Sequence, residues 1–321
     1  MKRRILLATA ISGVVGIRAA HAAERVIGWI SPDGPEASAP FINAFRAGIS
    51  RNLAPGAEGV RIIERNAGAG VGTVPQHVEE LQNLGVRLIV AQASATPAVV
   101  QLKPKVPVVF GYSGDPVAAG IAQSLAQPGG NSTGMTFLSL ELMPKRIDLL
   151  RTALPACRRI ALLSNTRHPG EDREISACQV AVQPSNIQLN VYTLKDASEL
   201  KRALSEAITG GAQAVVVLPS ALMVSNAAMI STACIEQRTP LISGWGTIAR
   251  SGALMTYGPN LDKAWGRVAT FALRVLDGAS PATLPIEQPT EFELVVNLKT
   301  AAALGITMPV SLLTQADEVI E

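Results

Sequence analysis

The chain has 321 residues, of which 48% are hydrophobic, 17% charged and 4% aromatic, with a formal net charge of +3 at pH 7. That length and apolar content suit two domains with sizeable cores and exclude a disordered chain. The slight basicity does not indicate a nucleic-acid surface: Lys2, Arg3, Arg4 and Arg18 account for the excess, and the other basic residues are scattered.

Those four residues belong to an expected signal peptide, residues 1–22. Lys2-Arg3-Arg4 is a basic start, Ile5 to Ile17 is apolar, and Ala20-His21-Ala22 supplies a small-x-small cleavage pattern. The apolar stretch is too short for a spanning helix of about 20 residues. Cleavage after Ala22 would leave 24 basic against 25 acidic residues and place the protein in the periplasm. General secretory export is expected rather than the twin-arginine route. Cys157, Cys178 and Cys234 would remain, open to one disulfide plus a free thiol or to a buried reduced set.

Beyond the signal, strands and helices alternate. Val26–Ile30 reads as a strand, Ala39–Leu53 as an amphipathic helix carrying Phe41, Ala44, Phe45, Ile49 and Leu53, and Val60–Glu64 as a strand. Helix 74–84, strand 86–91, a helix opening at Thr96-Pro97, strand 106–111 and a helix from Asp115-Pro116 to Ala126 follow. The pattern restarts after Gly134 with helix 141–154, strand 159–164, helix 172–182, strand 188–192, helix 197–209 and strand 214–218. Helix 225–237, strands 240–243 and 253–257, helix 261–276, strand 292–297 and terminal helices complete it. Such alternation predicts an α/β fold with doubly wound parallel sheets.

Two stretches repeat one design. Residues 84–120 and 210–252 each give an apolar strand ending in serine, a helix, and a strand that opens at proline and ends in glycine plus an aromatic. Ser94 pairs with Ser220, Pro107 with Pro240, and Gly111-Tyr112 with Gly244-Trp245. A duplicated β-α-β unit predicts two similar lobes facing each other across a cleft.

Little in the chain supports catalysis. After cleavage only His77 and His168 remain, in no metal-ligand spacing, and no HExxH, GxSxG or phosphate loop occurs. Gly68-Ala69-Gly70-Val71-Gly72 lacks the third glycine of a dinucleotide fingerprint and reads as a loop over the cleft mouth. Neither a metal nor a cofactor is expected. Parallel sheets bind ligands beyond the carboxyl ends of their strands, which points to Ser31, Ser94, Tyr112, Asn165, Ser220 and Trp245. Thr96 either caps its helix or meets a ligand carboxylate, and Asp115 either caps or meets an ammonium. Asn165 is a ligand donor or a turn residue. Tyr112, Trp245 and Tyr257 are expected to stack on a ligand, whereas Trp29 and Trp265 read as core.

The segment PVVFGYSGDPVAAGIAQSLAQPGGNSTG (107–134) resembles ABC-transporter substrate-binding proteins of the tryptophan/tyrosine-binding type. LPIEQPTEFELVVNLKTAAALGITMP (284–309) and the ending at Ala316–Glu321 share that likeness. It runs from about Gly85 to the C-terminus; residues 31–75 depart from the pattern. The resemblance implies a type I periplasmic binding protein, two lobes joined by a three-strand hinge, with crossings near Thr133–Thr136, Met255–Gly258 and Pro289–Phe292. Lobe 1 would join residues 24–135 to 257–290, and lobe 2 residues 136–256 to 291–321. Ser94, Thr96 and Tyr112 would then grip from one side, Asn165, Ser220 and Trp245 from the other, with Tyr257 near the hinge.

The expected function is capture of a small amino-acid-like solute, aromatic ones included, by a monomer that presents its closed form to an inner-membrane ABC permease with its cytoplasmic ATPase. The alternative is a periplasmic ligand sensor that presents the closed form to a signalling receptor. A secreted enzyme on this scaffold would need a nucleophile–base or metal constellation that the chain does not supply.

Overall fold

The computed structural model describes residues 25–53, 55, 59–68, 71–137, 140 and 142–321. The expected signal peptide and Ala69-Gly70 of the glycine-rich loop lie outside them.

The first lobe begins with β1 (Arg25–Ser31), α1 (Pro35–Asn52), β2 (Val60–Asn66), α2 (Val74–Asn83) and β3 (Leu88–Gln92). It continues through α3 (Ala95–Gln101), β4 (Val108–Tyr112) and β5 (Ser132–Thr136). All five strands run parallel, in the order β2-β1-β3-β4-β5. Alternate residues enter different cores: Ile27, Trp29, Val90 and Val109 pack on one face, Ile30, Ile89, Phe110 and Tyr112 on the other. Burial on both faces is why these strands read as unbroken apolar runs.

The second lobe contains α4 (Leu142–Ala153), β6 (Arg159–Asn165), α5 (Glu171–Val182), β7 (Gln188–Leu194), α6 (Leu200–Thr209) and β8 (Ala214–Val217). Then come α7 (Ala221–Ser225), α8 (Ala227–Glu236), β9 (Leu241–Ser243), α9 (Gly246–Arg250) and β10 (Met255–Pro259). The chain returns to the first lobe as α10 (Leu261–Leu276), then re-enters the second as β11 (Phe292–Asn297), α11 (Leu298–Leu304), α12 (Val310–Leu313) and β12 (Glu318–Ile320). The seven-stranded sheet has the order β12-β11-β10-β9-β8-β6-β7.

Helix α10 is held on the first lobe by glycine contacts. A Cβ on Gly48 of α1 would lie 2.6 Å from the Gly266 Cα, so the two helices meet backbone to backbone. That approach seats Trp265 against Trp29 and Phe41, with ring centroids 5.2 and 5.9 Å away.

The structure corrects several expectations. The second sheet is mixed, because β11 runs antiparallel to β10. Asp115–Ala126 is a series of turns, not a helix; Gly120 adopts a φ of +69°, and Pro128 and Gly129 follow closely. The expected helix 225–237 is present as α8, and a further short helix, α7, precedes it across Asn226. The C-terminus adds an edge strand, β12, that its short sequence did not announce. All three cysteines are free and buried. Among the described residues no helix is long and apolar enough to cross a membrane.

Candidate functional site

The carboxyl ends of both sheets border one narrow cleft, with about 520 Å³ free of protein atoms when the open solvent at its mouth is counted and room for the centres of water-sized molecules in about 40 Å³ of it. The first lobe contributes Asp33, Phe41, Gln92, Ser94, Gly111, Ser113 and Trp265; the second contributes Asn165, Arg167, His168, Ser220 and Trp245. Phe137, just after β5, lies between them, its ring 5.9 Å from Trp245 and 5.7 Å from Trp265. Four aromatic side chains thus wall the inner part. Ser94, Arg167, His168 and Pro169 also border a polar vestibule with Val71, Glu171 and Asp172, which marks that side as the mouth.

Asp33 and Arg167 bring opposite charges from opposite lobes to this cleft. Burial pushes the Asp33 carboxyl above the ordinary carboxylate value, and the Arg167 charge offsets part of that rise. The segment carrying Arg167 is pinned by buried polar pairs. Asn165 Oδ1 accepts from the Arg167 backbone N–H at 2.9 Å, His168 Nε2 lies 3.0 Å from Glu174 Oε2, and Ser164 Oγ donates to Glu171. These pairs tie the end of β6 and the loop after it to the first turn of α5. No group of three potential metal-ligating side chains occurs among the described residues.

Of the nine candidate residues, Ser94, Asn165, Ser220 and Trp245 border the cleft. Ser220 also caps α7, accepting from the Met223 N–H at 3.4 Å. The other five lie elsewhere. Ser31 is fully buried and accepts from the Asp33 N–H. Thr96 neither caps its helix nor reaches the cleft; it donates to the Ala91 carbonyl at 3.3 Å, and the helix begins one residue earlier. Tyr112 points into the opposite core, because strand residues alternate and Gly111 takes the cleft-facing position. Asp115 sits outside the lining: its Oδ1 accepts from Val117 and Ala118 N–H, and its Oδ2 from Arg173. Tyr257 packs its ring 6.2 Å from Phe292, and its carbonyl accepts from the buried Arg146.

Sequence reading missed Asp33, Gln92, Phe41, Phe137 and Trp265 as lining residues. Asp33 and Gln92 were accessible to it, since both stand at the ends of parallel strands. Trp265 was not, because its place depends on α10 crossing back to the first lobe.

A family model described as ABC transporter substrate binding protein matches residues 38–320. A tyrosine-binding protein from Clostridioides difficile (strain R20291) is 27% identical over 202 residues, 63% of this chain and 57% of the relative. The chain is therefore matched to little more than half of that relative's length. An ABC domain from Streptococcus pneumoniae, solved in complex with L-Trp, superposes with a TM-score of 0.81 at 19% identity, covering 93% of this chain and 100% of that one. A conserved domain protein from Vibrio cholerae gives 0.81 at 21% identity, covering 92% and 99%. The ligand-free, open structure of a substrate binding protein from Clostridium difficile gives 0.64 at 21% identity, covering 92% and 99%. These structures share the type I periplasmic binding protein fold, and proteins of this family bind substrates rather than transform them. The chain belongs to the ABC transporter substrate-binding protein family.

Proposed function

We propose that the protein is the periplasmic solute-binding component of an ABC importer and captures a zwitterionic, aromatic amino-acid-like ligand between its lobes. The carrying observation is the pairing of one carboxylate and one guanidinium, Asp33 and Arg167, at a cleft whose inner wall is four aromatic rings. The ligand ammonium meets Asp33, the ligand carboxylate meets Arg167, and the ring enters among Phe41, Phe137, Trp245 and Trp265. Ser94, Asn165 and Ser220 add hydrogen-bonding groups from both lobes. Binding that engages both lobes favours the closed form, because only differential affinity shifts such an equilibrium. The tyrosine- and tryptophan-associated relatives support this ligand class. The closed lobes would present a composite surface to the permease.

The test is a thermal-shift screen of protein unfolded and refolded to remove carried-over ligand. The panel holds amino acids, aromatic acids, nucleobases and small carboxylates. A ligand at 100 times its Kd adds about 2.7 kcal/mol, a shift of several degrees for a chain of this size. Hits confined to aromatic amino acids support the reading. A flat response from folded protein, or hits only among molecules without an ammonium, overturns it.

A further inference from the structure

Helix α7 is five residues long, and four of them in succession, Ala221, Leu222, Met223 and Val224, are buried, none more than 9% exposed. Successive helical residues turn by about 100°, so four of them point in directions spread over about 300°. A helix resting on the surface of one lobe buries a single stripe. All-round burial needs a second cover, and that cover comes from the other lobe: α1 is the element that α7 packs against most extensively. Phe41, Ile42 and Phe45 of α1 and the four residues of α7 belong to one continuous apolar cluster.

Each side of this contact is held by its own lobe. In the second lobe, Ser220 Oγ accepts from the Met223 N–H at the start of α7, and Asn226 Nδ2 donates to the Leu222 carbonyl at 2.8 Å near its end. In the first, α1 lies backbone to backbone on α10 through Gly48 and Gly266. Two preformed apolar surfaces meet without first being ordered, so little of their burial is offset by lost conformational freedom. Phe41 and Ala221 both line the cleft, so the contact lies at the cleft and not at the crossings. Opening the lobes must separate α1 from α7 and return apolar surface to water.

We propose that α1 and α7 form an apolar clasp between the lobes, which favours the closed form with or without a ligand, so that most of the ligand-free protein is closed. A ligand then adds its own differential affinity to a bias already present. Leu222 and Val224 are not among the residues that line the cleft, so the clasp acts on closure and not on recognition. Its strength changes the apparent affinity for every ligand by one factor. The Asp115–Arg173 pair also joins the lobes, but its side chains are partly exposed and it contributes little. This inference goes beyond the solute reading above and holds for any solute that binds between the lobes.

The experiment is solution X-ray scattering of the full chain, unfolded and refolded to remove carried-over ligand. Leu222→Ala and Val224→Ala are made singly and together, so that both flanks of α7 are tested. Without ligand, the alanine variants are expected to have a larger radius of gyration than wild type, the double variant the largest. Leu222→Met keeps an apolar side chain of similar volume and should scatter as wild type does. Adding L-tyrosine or L-tryptophan should change the wild-type radius little and contract the variants towards it. In calorimetry the double variant should weaken both amino acids by the same factor, about severalfold. A merely structural role would lower the thermal midpoint and leave the ligand-free radius unchanged. Thermal midpoints establish that each variant is folded, and the single variants carry the test if the double variant is not. Folded alanine variants with the wild-type radius, a wild type that contracts on ligand as much as the double variant does, or unequal weakening of the two amino acids overturns the proposal. If neither amino acid binds, the ligand-free radii alone decide it, and only the solute reading fails.

Discussion

Arg173 Nη1 donates to Asp115 Oδ2 at 2.8 Å, tying α5 of the second lobe to the turn that follows β4 in the first. The pair sits outside the cleft lining and bridges the two lobes. Both side chains are partly exposed, so the pair is a weak latch rather than a lock. Arg173→Ala is expected to weaken ligand affinity by roughly 1.5- to 5-fold, with the difference shrinking at high salt. Asp115→Ala should do the same and also lower stability by about 1 kcal/mol through loss of the turn's cap. The Asp115 carboxyl is held below its ordinary value, first by the Ala118 N–H, with burial opposing and Arg173 assisting. A depressed carboxyl contributes above its unfolded pKa and loses that contribution as pH falls through the folded one. The latch should therefore be constant between pH 5 and 8. Affinity measured against salt and pH checks both statements.

Asp33 has the opposite sign. Burial raises its pKa, so the charged form is a cost to the ligand-free fold, incurred as pH rises through the folded value. Asp33→Asn is expected to leave the ligand-free protein at pH 7 as stable as wild type or more so. It should lower affinity for a zwitterionic ligand by roughly 10- to 150-fold, the range for a hydrogen bond to a charged group. Wild-type affinity should also decline as pH falls through the Asp33 pKa, because an ammonium needs the carboxylate. Calorimetry across pH 4 to 8 reads all three effects.

Gly111 is where the strand gives way to the cleft. A Cβ there would lie 2.5 Å from Trp265 Cη2 and 3.0 Å from Phe137 Cε2, two of the aromatic walls. Gly111→Ala is expected to cost about 1–3 kcal/mol through overpacking and to weaken ligand binding at the same time. Gly130→Ala, which meets nothing within 4 Å, should change neither. Chemical denaturation and calorimetry on the two variants make the comparison.

The free cysteines predict unreactive thiols. Burial pushes Cys178 and Cys234 up to about 12 and raises Cys157 as well. The thiolate is the nucleophile, and at pH 8 a thiol of pKa 12 is ionised to roughly one part in ten thousand. Ellman's reagent should react slowly with the native protein and count three thiols after unfolding. A count of one in denaturant would show a disulfide instead.

Element order was legible from local pattern. The apolar stripe of α1 and the capped, amphipathic α10 announce themselves within a few turns, and α10 and β11 occupy the residues expected of them. The repeated β-α-β unit also has a structural counterpart, since β3 pairs with β4 and β8 with β9, each pair parallel and flanking helices. The turn at Asp115–Ala126 was not legible: Asp-Pro opens helices and turns alike, and only the Arg173 contact and the later glycines distinguish them.

The site was legible only in part, and Tyr112 shows why. It follows a glycine at the end of a strand, as Trp245 does, yet it packs in the opposite core while Trp245 lines the cleft. A one-residue difference in which position faces the cleft sends side chains to opposite faces, and sequence spacing around a short strand does not resolve it. Trp265 makes the complementary case, a mid-helix residue placed at the cleft because the chain returns to the first lobe before forming α10.

The sequence by itself determined the alternation of elements, the two-lobed α/β class and the family, because these depend on local periodicity and long matching segments. The tertiary structure alone decided which polar groups meet. Asp115 with Arg173, and Trp29 with Ser38 and Gln92, are joined by the packing of elements, and Asp33 and Arg167 are brought from opposite lobes to one cleft, near enough for the Arg167 charge to act on the Asp33 carboxyl. Burial then removes water as an alternative partner, so each group's role follows from the neighbour that the fold supplies.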